Sequence, residues 1–332
     1  MNRVLIVANI RKSQGGITTQ VMELKNSLLL EGLDVEVVST HGSLGDRIYG
    51  IYSAFMKAKE CDTILGVGCA YMGFFPMIVA YIVSVVKNKY VVFNFHDGQV
   101  KEFLKSYYGL VKVVLNNSKV IVATKYLNEE FKTYGFNSII IQNHFNNLKV
   151  ANTEHKNSEK IKIMWARSFE KLYRIDLALD SAIHYSGNKK VEFHFYGGGS
   201  EYSNYSEKYK SANIFFHGFM KREELLKEYK KYQVFLNTTE YDNFPMSIVE
   251  AGLNNMIVIS SKVGGIESLY SEDEIVFFQS GSLGSLIETI GYIFADISKY
   301  NTYSINLAKK VVSFNWANVR KQWIYSLNIK TR

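Results

Sequence analysis

Short apolar runs alternate with amphipathic stretches along the whole chain. In the first half the runs are Val4 to Ala8, Val35 to Ser39, Thr63 to Val67, Tyr90 to Phe95, Val120 to Ala123 and Ile139 to Gln142. Runs this short, apolar on both faces and separated by stretches long enough for a helix, predict strands of a buried parallel sheet. The first intervening stretch places Ile17, Val21, Leu24 and Leu28 at helical spacing and stops at Gly32, a residue suited to the left-handed conformation that closes a helix. A second series follows at Ile161 to Trp165, Val191 to Tyr196, Ile214 to His217, Val234 to Asn237, Ile257 to Ser260 and Ile275 to Phe278. Between the two series, Asn146 to Lys160 loses its periodic apolar positions and reads as a linker.

The predicted fold class is therefore α/β, with two Rossmann-like domains over residues 1–150 and 151–312. Residues 313–332 carry Trp316, Val319, Trp323 and Leu327 as a helical stripe that needs a large surface to cover it. No fixed-period repeat is present, which excludes solenoids and propellers. Val67 to Val86 holds no charge and is long enough to cross a bilayer. Gly68, Gly73 and Pro76 interrupt it, so it is expected to form a strand end, a loop and a buried or membrane-grazing helix from about Phe74.

Composition narrows the class without naming a function. The 332 residues are 47% hydrophobic and 21% charged, the balance of a folded protein and not of a disordered one. Cys61 and Cys69 are too few for a disulfide framework and show no zinc-type pairing, which points to a reducing, cytoplasmic setting and no metal site. The net charge of +8 suits an anionic substrate, an anionic membrane or nucleic acid, but no zinc-finger, helix-turn-helix or RNA-binding pattern accompanies it, and no nucleic-acid partner is expected.

In parallel sheets ligands sit beyond the carboxyl ends of the strands, so the loops there hold the candidate chemistry. After the first strand, Gly15-Gly16 at a helix start fits either an anion site or a tight turn. His96-Asp97-Gly98 follows the fourth strand, where a histidine either faces a cleft or satisfies backbone groups. Arg167, Lys171 and Arg174 follow the strand at Ile161 and bring cations to that edge. Gly197-Gly198-Gly199-Ser200-Glu201 is glycine-rich but is not a dinucleotide fingerprint, because Tyr202 holds the last position. In the segment from Asn237 to Gly252, Pro245 fits the first turn of a helix through Leu253, with Asp242 or Asn243 near its cap and Glu250 on the next turn. Asp242 and Glu250 are thus expected to line one pocket, and Gly264-Gly265 offers a second anion nest.

In order and spacing these residues resemble the retaining glycosyltransferases of family 4. The Trp165-Ala166-Arg167 strand end, the glycine turn, Phe216-His217-Gly218, Asp242 to Ala251 and Gly264-Gly265-Ile266-Glu267 carry the likeness. It implies the GT-B architecture, with a cleft between an N-terminal acceptor domain and a C-terminal nucleotide-sugar domain, and a terminal helix crossing back to the first. It also implies a UDP- or GDP-sugar as donor, no cofactor, and a glycan or lipid-linked acceptor, in bacterial surface polysaccharide synthesis.

Carried over by position, Glu250 resembles the second glutamate of the Glu-x7-Glu motif and would hold the ribose. Asp242 stands at the first, one methylene shorter than usual, beside the donor sugar. Arg167 and Lys171 would meet the diphosphate, although Lys171 stands four residues after the arginine instead of five, with Tyr173 at the aligned position and Arg174 as a substitute. His96 would lie beside the transferred sugar, and Arg167, Lys171, Asp242 and His96 form the expected catalytic set. Gly15, Gly16, Gly197, Gly198, His217, Asn243, Phe244, Pro245, Gly264 and Gly265 complete the expected donor site with Glu250. The helix from Lys101 to Leu115, with Lys101, Lys105 and Lys112 among apolar residues, fits either an anionic membrane surface or a core helix with solvated lysines. A nucleotide-sugar 2-epimerase of the same fold and a non-catalytic transferase subunit are the competing readings.

Overall fold

The computed structural model describes residues 3–11, 15–116, 118–146, 148–151 and 159–329. The apolar runs become strands, and in the central ones such as Arg3–Ala8 and Thr63–Gly68 neighbouring strands and flanking helices bury nearly every residue. The chain divides into two compact units, one of residues 1–147 with 314–332 and the other of residues 148–313. Residues 147 and 152–158 of the linker expected at 146–160 lie outside the described residues.

In the N-terminal unit, β1 (Arg3–Ala8), β2 (Asp34–Ser39), β3 (Thr63–Gly68), β4 (Tyr90–Phe95), β5 (Lys119–Val122) and β6 (Ser138–Ile140) form a parallel sheet in the order β2-β1-β3-β4-β5-β6. The order reverses between β1 and β3, which makes that edge a switch point. Its helices are α1 (Gly16–Leu30), α2 (Leu44–Lys57), α3 (Phe75–Lys87), α4 (Val100–Leu115) and α5 (Lys125–Thr133). Gly32 closes α1 at φ 78°, and the amide of Leu33 reaches back to the Leu28 carbonyl.

The uncharged segment resolves into β3, a 3₁₀ turn over Tyr71–Phe74, and α3 with Pro76 in its first turn. Met77, Ala80 and Val83 of α3 are fully buried in the core under the sheet. Gly66 has no room for a side chain, because Ala80 and Phe93 press on it. No helix among the described residues is long and apolar enough to cross a membrane.

The C-terminal unit repeats the plan with β7 (Ile161–Ala166), β8 (Val191–Tyr196), β9 (Ile214–Gly218), β10 (Val234–Asn237), β11 (Ile257–Ser261) and β12 (Val276–Phe278), ordered β12-β11-β10-β7-β8-β9. Here the switch point falls between β7 and β10. The helices are α6 (Ile175–His184), α7 (Tyr202–Lys208), α8 (Arg222–Glu228), α9 (Met246–Leu253), α10 (Gly264–Leu269), α11 (Leu283–Ala295) and α12 (Asn301–Val312).

The last helix, α13 (Trp316–Ser326), belongs to the N-terminal unit. Val319, Trp323 and Leu327 join the core built on β1, α1 and β3. Trp316 Nε1 donates to Glu31 at 2.8 Å, Arg320 pairs with the same carboxylate at 2.6 Å, and Thr63 Oγ1 donates to the Leu327 carbonyl at 2.8 Å.

Candidate active site

The loops after β7 and β10 are laced together before any ligand arrives. Trp165 Nε1 donates to Thr238 Oγ1 at 3.0 Å, Thr238 Oγ1 donates to the Tyr173 carbonyl at 2.8 Å, and the Glu240 amide donates to the Leu172 carbonyl at 2.8 Å. This lacing holds Arg167, the first residue past β7. Its side chain is only 14% exposed, and Nη2 donates to Asp242 Oδ2 at 2.7 Å and to Asn237 Oδ1 at 3.3 Å. The guanidinium lies 5.0 Å from the centre of the Tyr173 ring. Burial works against its charge, but Asp242 outweighs that and turns the net shift of its pKa upward. Arg167 Nε is buried with no hydrogen-bond partner, as is Ser247 Oγ at the start of α9. Buried polar groups are rarely left so, which marks these loops as a place for a ligand's acceptors.

Two glycine clusters shape the loops. Gly197 and Gly199 have φ of 142° and 150°, a region closed to ordinary side chains. A side chain at Gly197 would also collide with the Arg167 carbonyl, and the Phe169 amide donates to the Gly198 carbonyl at 2.9 Å. The glycine turn therefore lets the loop after β8 lie against the loop that carries Arg167. Gly265 does the same for the other side, because a side chain there would strike the backbone of Asp242 and Asn243. Asp242 Oδ1 accepts the Phe244 amide at 3.1 Å, so one carboxylate oxygen folds its own loop while the other holds the arginine. Asn243 and Phe244 are buried, Pro245 is the cap residue of α9, and Gly264 opens α10.

Glu250, on the second turn of α9, is 9% exposed. Its Oε1 accepts from Arg222 Nε at 3.0 Å and Nη2 at 2.8 Å, and its Oε2 accepts from Tyr229 Oη at 3.2 Å. Burial raises the Tyr229 pKa well above the usual phenol range, Glu250 adds to the rise, and Arg167 and Arg222 oppose it. Tyr229 thus stands within electrostatic reach of both arginines and of Glu250. Neither Arg222 nor Tyr229 stands out in the sequence; the first sits in the charged run Lys221-Arg222-Glu223-Glu224, and 28 residues separate it from its partner.

Other expected residues are placed differently. Lys171 is exposed and has no ion pair among the described residues, whereas Arg174 is engaged by Asp176, with Nη2 and Oδ2 3.0 Å apart. The His217 ring stacks on Tyr196 at 4.2 Å and shares a 3.0 Å hydrogen bond with His194. It belongs to an aromatic ladder along β8 and β9, and among the described residues no hydrogen bond or ion pair joins it to Arg167 or Glu250.

His96, at the end of β4, turns into the N-terminal unit. It lines a small chamber of mixed character with Gln20, Leu24, Asn94, Asn143, His144 and Trp323. There His96 Nε2 and Trp323 Nε1 are buried without partners. Burial pushes the His96 pKa down to about 4, so the ring is neutral near pH 7. Its neighbour Asp97 ties two loops, accepting the Ala70 amide at 2.8 Å and the Gln99 amide at 2.9 Å. Gly15 and Gly16 open α1 with no atom within 4 Å of where a side chain would start, and both line a cavity at the β1–β3 switch point.

With this geometry in place, known proteins supply a frame. Residues 147–310 match the family model for glycosyl transferases, group 1. The whole chain has the GT-B fold. It superposes on the Anabaena protein Alr3699/HepE, solved in complex with UDP and glucose, with a TM-score of 0.77 at 17% identity over 99% of each chain. The sucrose-phosphate synthase of Thermosynechococcus elongatus gives 0.80 at 16% identity over 97% of each chain. TarM of S. aureus, solved with fondaparinux, α-GlcNAc-glycerol and UDP, gives 0.68 at 16% identity, covering 84% of this chain and 59% of its own. No curated protein matches by sequence. The matched segment 147–310 contains Arg167, Asp242, Glu250 and both glycine clusters.

Proposed function

We propose that the protein is a retaining, metal-independent glycosyltransferase of family 4 that moves a hexose from a nucleoside-diphosphate donor to a hydroxyl of a glycan or lipid-linked acceptor, in surface polysaccharide synthesis at the cytoplasmic side of a membrane. The observation that carries this reading is Arg167, a nearly buried guanidinium only half satisfied by Asp242 and Asn237. A diphosphate offers the remaining acceptors. Arg167 and Lys171 meet the charge that grows on the leaving phosphate. Glu250, fixed by Arg222 and Tyr229, presents a carboxylate to the ribose and is not a nucleophile. Gly197, Gly198, Gly264 and Gly265 shape the donor loops, and Asn243, Phe244 and Pro245 lead into the helix that bears Glu250.

The acceptor hydroxyl attacks from the face the diphosphate leaves, and the departing phosphate oxygen takes its proton. Asp242, released from Arg167 as the diphosphate arrives, is free to accept a sugar hydroxyl. His96 serves as a neutral hydrogen-bonding group beside the sugar, since burial keeps it uncharged. His217 is assigned to the wall of the base site through its ladder. Lys101, Lys105 and Lys112 on the outer face of α4 would rest on an anionic membrane surface, while Val100, Phe103 and Leu104 face the core.

The test is a set of UDP-, GDP- and ADP-sugars assayed for a rise in melting temperature. UDP-glucose is expected to give the largest rise, because the similar HepE protein is solved with UDP and glucose. If no nucleotide stabilises the protein, or if Glu250→Ala leaves nucleotide affinity unchanged, the reading fails. Transfer from a stabilising donor should give a product with the donor's anomeric configuration.

A further inference from the structure

The N-terminal unit has its own cavity of about 580 Å³, formed where the loops after β1, β2 and β3 meet. One wall is polar and cationic, with Arg11, Thr18, Thr40, His41 and Arg47. Ala70 to Gly73 and Phe75 also line it, and no carboxylate lines the cavity among the described residues. Arg47 donates only to the Gly42 carbonyl, at 3.2 Å, and neither Arg11 nor Arg47 forms an ion pair among the described residues. This is unusual for the chain, since Arg167, Arg174, Arg222 and Arg320 each hold an acid.

Apolar side chains adjoin the lining. On α2, Leu44 and Ile48 stand one turn before and one residue after Arg47 and are 75% and 59% exposed. In the lining itself, Tyr71 and Met72 are 43% and 70% exposed. The Tyr71 ring packs edge-on against Phe103 and Tyr107 of α4, so this rim continues into the helix that carries Lys101 and Lys105. Two uncommitted guanidinium groups behind an exposed apolar rim complement an anion joined to a hydrocarbon chain.

Resting on the glycosyltransferase reading above, we infer that the hydroxyl-bearing acceptor is joined to a lipid through a phosphate: that phosphate lies between Arg11 and Arg47, and the lipid chain leaves over Leu44, Ile48, Tyr71 and Met72. A neutral glycan would leave both arginines unanswered. A free phosphate would leave the rim in water.

Calorimetry on the full chain tests this with dodecyl phosphate, inorganic phosphate and dodecyl maltoside, each below its micelle concentration. Dodecyl phosphate should bind roughly tenfold or more tightly than either of the others. Arg11→Ala and Arg47→Ala should each weaken it about tenfold, the order of one charge-assisted contact, and Leu44→Ser with Met72→Ser by a similar factor. The rise in melting temperature with UDP should be the same in all these variants. Equal binding of dodecyl phosphate and dodecyl maltoside overturns the inference, and equal binding of inorganic phosphate overturns the lipid part of it. Loss of the UDP response in the arginine variants with dodecyl phosphate binding intact also overturns it, by assigning the arginines to the nucleotide. Absence of any UDP response alongside arginine-dependent dodecyl phosphate binding removes the enzyme reading instead and leaves the site standing.

Discussion

At the switch point of the C-terminal unit two arginines already hold acidic partners: Arg167 is paired with Asp242, and Arg222 with Glu250. At the corresponding point of the N-terminal unit, Arg11 and Arg47 line a cavity with no carboxylate among the described residues, and a side chain added at Gly15 or Gly16 would meet open space. One sheet topology thus supports two electrostatic designs. Internal ion pairs fix donors and acceptors before binding, which lowers the reorganisation a ligand must drive and suits one defined substrate. Unpaired guanidinium groups leave a positive field that draws in anions and tolerates variation in what is attached to them.

The comparison is broken most severely at Arg167. Arg167→Ala leaves Asp242 nearly buried without its counter-charge, and removing one partner of such a pair costs about 3–5 kcal/mol. Urea denaturation should show that loss, and the nucleotide-induced rise in melting temperature should vanish. Adding Asp242→Ala should restore most of the stability but none of the nucleotide response; if stability is not restored, the two residues are not a coupled pair.

The glycines give the next contrast. Gly197→Ala meets both a forbidden φ and the Arg167 carbonyl, so it should lower stability by about 2–4 kcal/mol. Gly16→Ala, in open space at a helix start, should be neutral or stabilising by up to about 1 kcal/mol. Similar costs at both positions would contradict the contrast drawn between the loops.

A gentler effect follows from the buried imidazoles. Burial lowers the pKa of His96 and of His144 to about 4, so the folded protein stays unprotonated while the unfolded chain takes up protons near pH 6.5. Stability is then fully present above pH 6.5 and declines as pH falls toward 4. His96→Gln should flatten that decline; an unchanged slope would place the titrating groups elsewhere. The smallest change is expected from Arg222→Lys, which keeps one hydrogen bond to Glu250 and loses the forked contact. The KM for the nucleotide sugar should rise a few-fold with kcat nearly constant.

The central strands were legible because they are buried on both faces and read as short apolar runs between turns, as in β1, β3, β10 and β11. The α13 stripe was legible too, as Trp316, Val319, Trp323 and Leu327 can share a surface only on a helix. Which residues meet was not legible. Arg167 and Asp242 stand 75 positions apart and Arg222 and Glu250 stand 28 apart, and nothing local distinguishes these arginines from solvated ones. The direction of His96 depends on α13, whose Trp323 lines the chamber the ring turns into, and a strand-end histidine carries no mark of such a lid. The surroundings of His217 were hidden for a related reason: strand periodicity gives two faces, and only the neighbouring His194 and Tyr196 show which face its ring takes.

Because α13 completes the core around β1 and β3, the first unit begins near the N-terminus and is sealed by a segment more than 160 residues after its last strand. As a ribosome reads the message, the second unit emerges whole while the first still lacks a wall. The usual order, in which the earlier domain settles first, is reversed here. A nascent chain would carry an exposed patch under Val319, Trp323 and Leu327 through nearly all of its synthesis, a window in which chaperone capture and premature-stop products have their strongest hold.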